Sequence, residues 1–261
     1  MSFADAIATE PDGPNRWRSD IRPGWDIGGN ANGGYLLAVA GRAMATQAER
    51  PDVATVTAHY LRPGPEGPVS IETDVVKTGR QFTTVNATLT SDKPILAVLG
   101  SFTDHGATSD ARTILVEPEP EFPGPDDCIK VLPTETFPPP IMGKVDLRLH
   151  PDDDFYNTPS GSPQMRGWVN LLDGEEWDTF GLLLAADIFP PTIFNADFGI
   201  AWVPTLELTV HVRNRPAPGW LKGHFSSRFV TGGFVEEDGL IWDSRGTLVA
   251  QSRQISLLPR S

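Results

Sequence analysis

Cysteine is almost absent from this 261-residue chain. Cys128 stands alone, which excludes an internal disulfide and any thiolate cluster for zinc or an iron–sulfur centre. Positive charge is short as well: 21 Lys and Arg face 34 Asp and Glu, a net charge of -13. That balance argues against a general nucleic-acid binder, because phosphate contacts need a positive field. No apolar run approaches the roughly 18 residues of a membrane span. Residues 1–10 carry acids where a secretion signal carries a basic region followed by an apolar one. These absences predict a cytoplasmic protein with no membrane span, no metal and no organic cofactor.

What is present is enough for a real core, with 39% hydrophobic and 9% aromatic residues. The 25 prolines are unevenly spread. Residues 105–162 hold VEPEPEFPGPDD, TFPPP and HPDDD. Proline fixes φ and donates no backbone hydrogen bond, so this stretch reads as an extended connector with one short strand at 144–149. Connectors of that length are natural between two units. The chain therefore divides into 1–104, the connector 105–162, and 163–261.

The two outer blocks repeat one plan. In the first, an Ala- and Gly-rich helix runs from Gly34 to near Glu49, before Pro51. Four strand-like runs follow at 55–61, 68–77, 81–90 and 94–102, separated by Pro, Gly, Ser and Asp turns. In the second, a strand at 165–171 precedes a helix over 180–188, capped by Asp178 or Thr179 and stopped by Pro190-Pro191. Strands at 205–212, 220–231, 233–242 and 247–257 complete it. A helix with so little side-chain volume suits a sheet that curves around it, and the order strand, helix, four strands occurs twice.

Four stretches carry a resemblance: Gly33-Gly34-Tyr35-Leu36 opening the first helix, Thr57-Ala58-His59-Tyr60-Leu61-Arg62-Pro63-Gly64 in the next strand, Thr78-Gly79-Arg80-Gln81-Phe82, and Gly246 to Gln254 near the end. In this order and spacing the chain resembles the acyl-CoA thioesterase-like family, bacterial type II acyl-CoA thioesterases included. The resemblance implies an α+β fold, a tandem (double) hotdog in which two antiparallel sheets each wrap around a long helix. It implies an acyl-CoA or related thioester as substrate, and makes a homo-oligomer plausible.

Thioester hydrolysis needs an oriented or deprotonated water and donors for the oxygen that becomes negative. No nucleophile–histidine arrangement stands out, and Cys128 follows Pro125, Asp126 and Asp127, acids that discourage a thiolate. A water-based mechanism follows. In the resembled family the water is held by an Asp on the strand after the second helix, a Thr or Ser on the next strand and a Gln on the last. The resemblance places Glu207 at the acid position and Gln254 at the Gln position. Arg228 falls at the hydroxyl position, with Ser227 adjacent and Thr231 a turn away as the hydroxyl candidate. Alternation puts Thr205, Glu207, Thr209 and His211 on one face of their strand. The first block has Thr57 and Ser101 at the matching places, so one working site per chain is expected.

Helix N-termini present unsatisfied N–H groups. Gly33 and Gly34 would let a thioester carbonyl approach the N–H of Gly34 or Tyr35, with Asn32 as a further donor. Arg80 and Arg228, with Arg62, Arg213, Arg215 and Arg253, are candidates for the phosphates of coenzyme A. Two rival readings remain: a hotdog that binds acyl-CoA without chemistry, and an enoyl-CoA hydratase. The second needs an Asp and a His together at a helix start, whereas Asp187 lies deep in the second helix.

Overall fold

A computed structural model describes residues 1–108, 116–133, 139–196 and 198–258. A one-turn helix α1 (Phe3–Ala6) is followed by strand β1 (Arg16–Ile21), helix α2 (Gly33–Ala48) and strands β2 (Asp52–Tyr60), β3 (Gly67–Thr78), β4 (Thr83–Thr90) and β5 (Pro94–Thr103). The second half contributes β6 (Val145–Leu149), β7 (Gln164–Leu171), helix α3 (Gly181–Ala185), β8 (Thr205–Val212), β9 (Leu221–Ser226), β10 (Phe234–Trp242) and β11 (Leu248–Leu257).

α2 starts where Asn32 Oδ1 accepts the N–H of Tyr35 at 2.9 Å, and ends at Glu49, whose φ of 53° breaks the helical path. Twelve of its sixteen residues are buried, on every side of the helix rather than along one stripe. Strands β2 to β5 pack against it. Their alternation is regular: Thr83, Val85, Ala87 and Leu89 of β4 face inward while their neighbours do not.

The halves do not carry separate sheets. Among the described residues one antiparallel sheet of 14 strands runs in the order β1-β3-β4-β5-β2-β8-β11-β10-β9-β7-β6, with a two-residue strand at each end and a third paired to β10 off this path. The seam is β2 against β8, with Val56 opposite Val210 and Thr57 opposite Thr209. Each of these strands would otherwise expose an unpaired edge, and pairing covers both. The expectation of two sheets, each around a long helix, is corrected accordingly. Only α2 is long. α3 has five residues because Pro190 and Pro191 cannot continue a helix, and the chain passes into a 3-10 turn at Thr192–Ala196.

The proline-rich stretch supplies β6, which pairs along its whole length with β7. Its proline carbonyls are held by Trp168 Nε1 on Pro123 (2.8 Å) and Lys222 Nζ on Pro120 (3.2 Å). Among the described residues no helix is long and apolar enough to cross a membrane.

Candidate active site

Where α2 begins, it meets the end of α3. A Cβ on Gly34 would lie 2.5 Å from the carbonyl oxygen of Leu183, and one on Gly33 would lie 2.9 Å from Asp187 Oδ2 and 2.8 Å from the Tyr60 ring. Only glycine lets the two helices close to this distance. The result is a carboxylate seated on a helix N-terminus. Asp187 Oδ2 accepts the Gly34 N–H at 2.8 Å and Asn32 Nδ2 at 3.0 Å, and the same Asn32 amide donates to the Asp187 carbonyl at 2.9 Å. Oδ1 takes part in none of these three hydrogen bonds.

Asp187 opens into a cavity of about 580 Å³ walled mainly by apolar side chains, among them Ile27, Leu36, Met142, Phe155, Phe189, Phe194, Trp202 and Val235. The polar lining is sparse: Asn30, Asn32, Tyr60, Arg62, Asp187, Thr205, Glu237, Gln254 and Ser256. Arg62 is the only cation among them. Glu237 and Gln254 are cross-strand partners on β10 and β11, with Gln254 Nε2 donating to Glu237 Oε1 at 3.0 Å. The Gln254 carbonyl oxygen turns toward Thr205 Oγ1, 3.5 Å away, and Ser256 Oγ lies 3.5 Å from the same hydroxyl.

The apolar walls govern the ionisation of both acids. Burial pushes Asp187 up to about 6, against the opposing pull of the Gly34, Asn32 and Gly33 donors. Burial pushes Glu237 up to about 7, with the nearby Asp187 charge adding to it and the Thr192 and Gln254 donors resisting. Tyr60 is raised well above its ordinary value by burial, then by Asp187 and Glu207; its hydroxyl is buried without a hydrogen-bond partner.

Of the residues expected from sequence, Gln254, Asn32 and Gly33 line this cavity. Glu207 does not. Gln254 pairs with Leu208, whose side chain is fully buried, and directly opposed residues share a face of the sheet. Glu207 therefore projects from the other face, where it accepts the Thr209 hydroxyl at 2.6 Å. A β-bulge between Thr205 and Glu207 breaks the alternation that grouped these residues, and brings Thr205 and Leu206 to the cavity. Thr231 is exposed in a short hairpin away from it. Arg228 is held by Glu236 (3.1 Å) and Asp238 (2.6 Å). Arg80 is exposed on the tight turn where Arg50 binds its carbonyl at 3.0 Å.

The helix N-terminus also departs from expectation. The Gly34 N–H is taken by Asp187 and the Tyr35 N–H by Asn32, so these amides hold an acid of the protein rather than a substrate carbonyl. Tyr35 is a core residue, stacked 5.2 Å from Trp25 with its hydroxyl on the Ala6 carbonyl. Sequence reasoning passed over Asp187, Thr205 and Glu237. The signal for Asp187 was a lone acid in the apolar run Leu182 to Phe189. Cys128 has its thiol raised by burial and then by Asp127, as its acidic neighbours suggested. Among the described residues no group of three or more His, Cys, Asp and Glu side chains is arranged to hold a metal ion.

Comparison with known proteins places these features in a family. Residues 21–103 match the model of an acyl-CoA thioesterase N-terminal domain, and residues 118–258 that of an acyl-CoA thioesterase C-terminal domain. The fold superposes on a candidate thioesterase II from Thermobifida fusca YX with a TM-score of 0.89 and 32% identity, covering 99% of this chain and 97% of that one. It also superposes on a protein of unknown function with a hot dog fold from Alicyclobacillus acidocaldarius (TM-score 0.88, 19% identity, 99% and 98% covered). An acyl-CoA thioesterase II from Mycobacterium marinum shares the fold at TM-score 0.75 and 19% identity, with 100% and 99% covered.

Proposed function

This chain belongs to the acyl-CoA thioesterase family, and from that premise we propose that it hydrolyses acyl-CoA thioesters with a water activated by Asp187. The observation that carries the proposal is the Asp187 carboxylate itself, with one oxygen fixed by the start of α2 and the other outside those bonds, at an apolar cavity. A base near 6 is ionised at neutral pH yet more basic than an ordinary aspartate, which suits proton abstraction from water.

The family pattern calls for an acid, a hydroxyl and a glutamine, and the cavity supplies Asp187, Thr205 and Gln254. In the proposed mechanism the water donates to Asp187 Oδ1 and to Gln254 Oε1 and accepts from the Thr205 hydroxyl. That leaves a lone pair for the thioester carbonyl carbon. Asp187 takes the proton as the carbon–oxygen bond forms. The tetrahedral intermediate then expels the CoA thiolate, Asp187 returns its proton to the sulfur, and the thiol and the acid product depart. No covalent enzyme intermediate is involved. The apolar walls take the acyl chain, and Arg62 takes the anionic end of the ester.

The test is thiol release from a panel of straight-chain, branched and aromatic acyl-CoA esters by the wild type and Asp187→Asn. The variant amide can still accept from Gly34 and Asn32, so the fold is kept. A loss of kcat of about 10³-fold is expected, with KM little changed. Tight binding of every ester without thiol release from the wild type would select the non-catalytic binding reading instead. A hydratase is disfavoured because no histidine lines the cavity.

A further inference from the structure

Gln254 can serve an attacking water only if its amide presents oxygen, not nitrogen, to the cavity. A free glutamine amide turns over readily. Here the facing residue on β10 decides the matter. Glu237 is 6% exposed, sits directly opposite Gln254 in the ladder, and spends one carboxylate oxygen on the Gln254 Nε2–H at 3.0 Å. Its other oxygen accepts the Thr192 backbone N–H at 2.8 Å. The Thr192 hydroxyl is itself paired with Ser227 Oγ at 2.6 Å, so the anchor cannot swing away.

We infer that Glu237 is a positioning residue that fixes the orientation of Gln254, and that it can do so only as a carboxylate. The inference rests on the hydrolytic reading above. Its logic is donor against acceptor. Glu237 meets two N–H donors and the Thr192 hydroxyl, and a proton lying in either N–H bond sets donor against donor. The Thr192 backbone N–H belongs to a turn and cannot rotate, whereas the Gln254 amide can. Protonation therefore flips Gln254, placing its NH2 where the water needs an acceptor.

The surroundings isolate this switch. Asp187 is the charged group that acts on Glu237 across the cavity. From the turn after α3 come the Thr192 N–H and hydroxyl, and from β11 the Gln254 amide. Glu236 and Asp238, its neighbours on β10, are engaged with Arg228 and Arg253. Among the described residues no cation is paired with Glu237. The pair Asp187 and Glu237 should then produce an acid limb of kcat containing two coupled ionisations.

The experiment is a double-mutant cycle on kcat with Glu237→Gln, Gln254→Ala and both together, over a pH series with one acyl-CoA ester, beside the affinity of a non-hydrolysable S-alkyl-CoA thioether. Glu237→Gln offers one acceptor to two donors. We expect kcat to fall on the order of 10- to 100-fold, KM and thioether affinity to stay within about threefold, and the acid limb to lose one of its two ionisations. In the Gln254→Ala background the same change should lower kcat no further. Glu237→Met, apolar and of similar size, serves if the Gln variant folds poorly, and should show the same non-additivity. An undiminished kcat in Glu237→Gln, or an equal loss with and without Gln254, overturns the inference while leaving the hydrolytic reading intact. A wild type that releases no thiol overturns both.

Discussion

At the residue scale, Asp187 shows chemistry and stability pulling in opposite directions. Its carboxyl is raised by burial to about 6, above the roughly 3.9 of an unfolded aspartate. The folded state thus holds the proton more tightly than the unfolded one. The stability this adds is complete below pH ~4 and is lost as pH climbs through 6, exactly where the base becomes active. Two outcomes follow. In the wild type, kcat/KM should rise with pH through an apparent pKa near 6. In Asp187→Asn the Tm should exceed that of the wild type by about 5 °C at pH 8, a gain on the order of 2 kcal/mol, and the gain should vanish near pH 4. A variant less stable than wild type at pH 8 would show that the carboxylate is not a net cost to the fold. Tyr60 offers a simpler case. Its hydroxyl is buried with no partner, so Tyr60→Phe should raise the Tm by about 3 °C through removal of an unpaired polar group of about 1 kcal/mol, measured by thermal unfolding. Residue chemistry was only partly legible in the sequence. Gln254 was named through the resemblance, which places it at the Gln position, and Asn32 through its place at a helix start, a local feature; both line the cavity. Asp187 was missed because its role comes from two backbones meeting, which no local pattern records.

At the element scale, two departures from regularity make the site. The first is the bulge in β8. Strict alternation from Leu208 backward groups Thr205 with Glu207, and one inserted residue is enough to part them. Alternation along a strand is readable in sequence, whereas a bulge depends on the neighbouring strand. Hence the strand was predicted over its correct span, with Glu207 on the face opposite Leu208 as found, while Thr205 was grouped with the wrong face. The second is the contact between α2 and α3. A Cβ at Gly34 meets the Leu183 carbonyl at 2.5 Å and the Asp187 Cβ at 2.9 Å, so α3 must move, and the proposed general base with it. A Cβ at Gly41, further along α2, meets side chains alone, Leu183 Cδ1 at 3.2 Å and the Phe180 ring at an ordinary 3.5 Å, and the leucine end can adjust. Gly34→Ala should therefore cost about 2–3 kcal/mol and at least 10²-fold in kcat, while Gly41→Ala should cost under about 1 kcal/mol with kcat preserved. Denaturant melts and thiol-release assays of the pair decide it, and equal effects at both positions would remove the close approach as the cause.

At the scale of the whole molecule, the sequence carries one order of elements twice, yet the way the two halves join is not legible in it. Strand count and turn chemistry are local, and nothing in either half announces that β2 and β8 will share an edge. The joined sheet has energetic consequences. The Arg215 guanidinium beyond β8 grips Asp52 at the start of β2 at 2.9 Å and Asp104 at 3.0 Å. Asp173 and Glu175 of the second half accept the Phe3 and Ala4 N–H groups of α1 at 2.6 and 2.9 Å. Asn32 and Gly34 are committed to Asp187, and the buried apolar residues of both halves form one cluster. Melting either half alone would strip the cover from a sheet edge, leave the Asp187 carboxylate without its donors and expose the shared core, so neither intermediate has a favourable account. Unfolding should accordingly be one transition, with calorimetric and van't Hoff enthalpies in agreement and loss of activity superimposed on it. Gly34→Ala should shift that whole transition downward without splitting it. Two resolved transitions, one of them insensitive to Gly34→Ala, would mean that the halves are independent units, and the site at their seam would then have to open before the fold does.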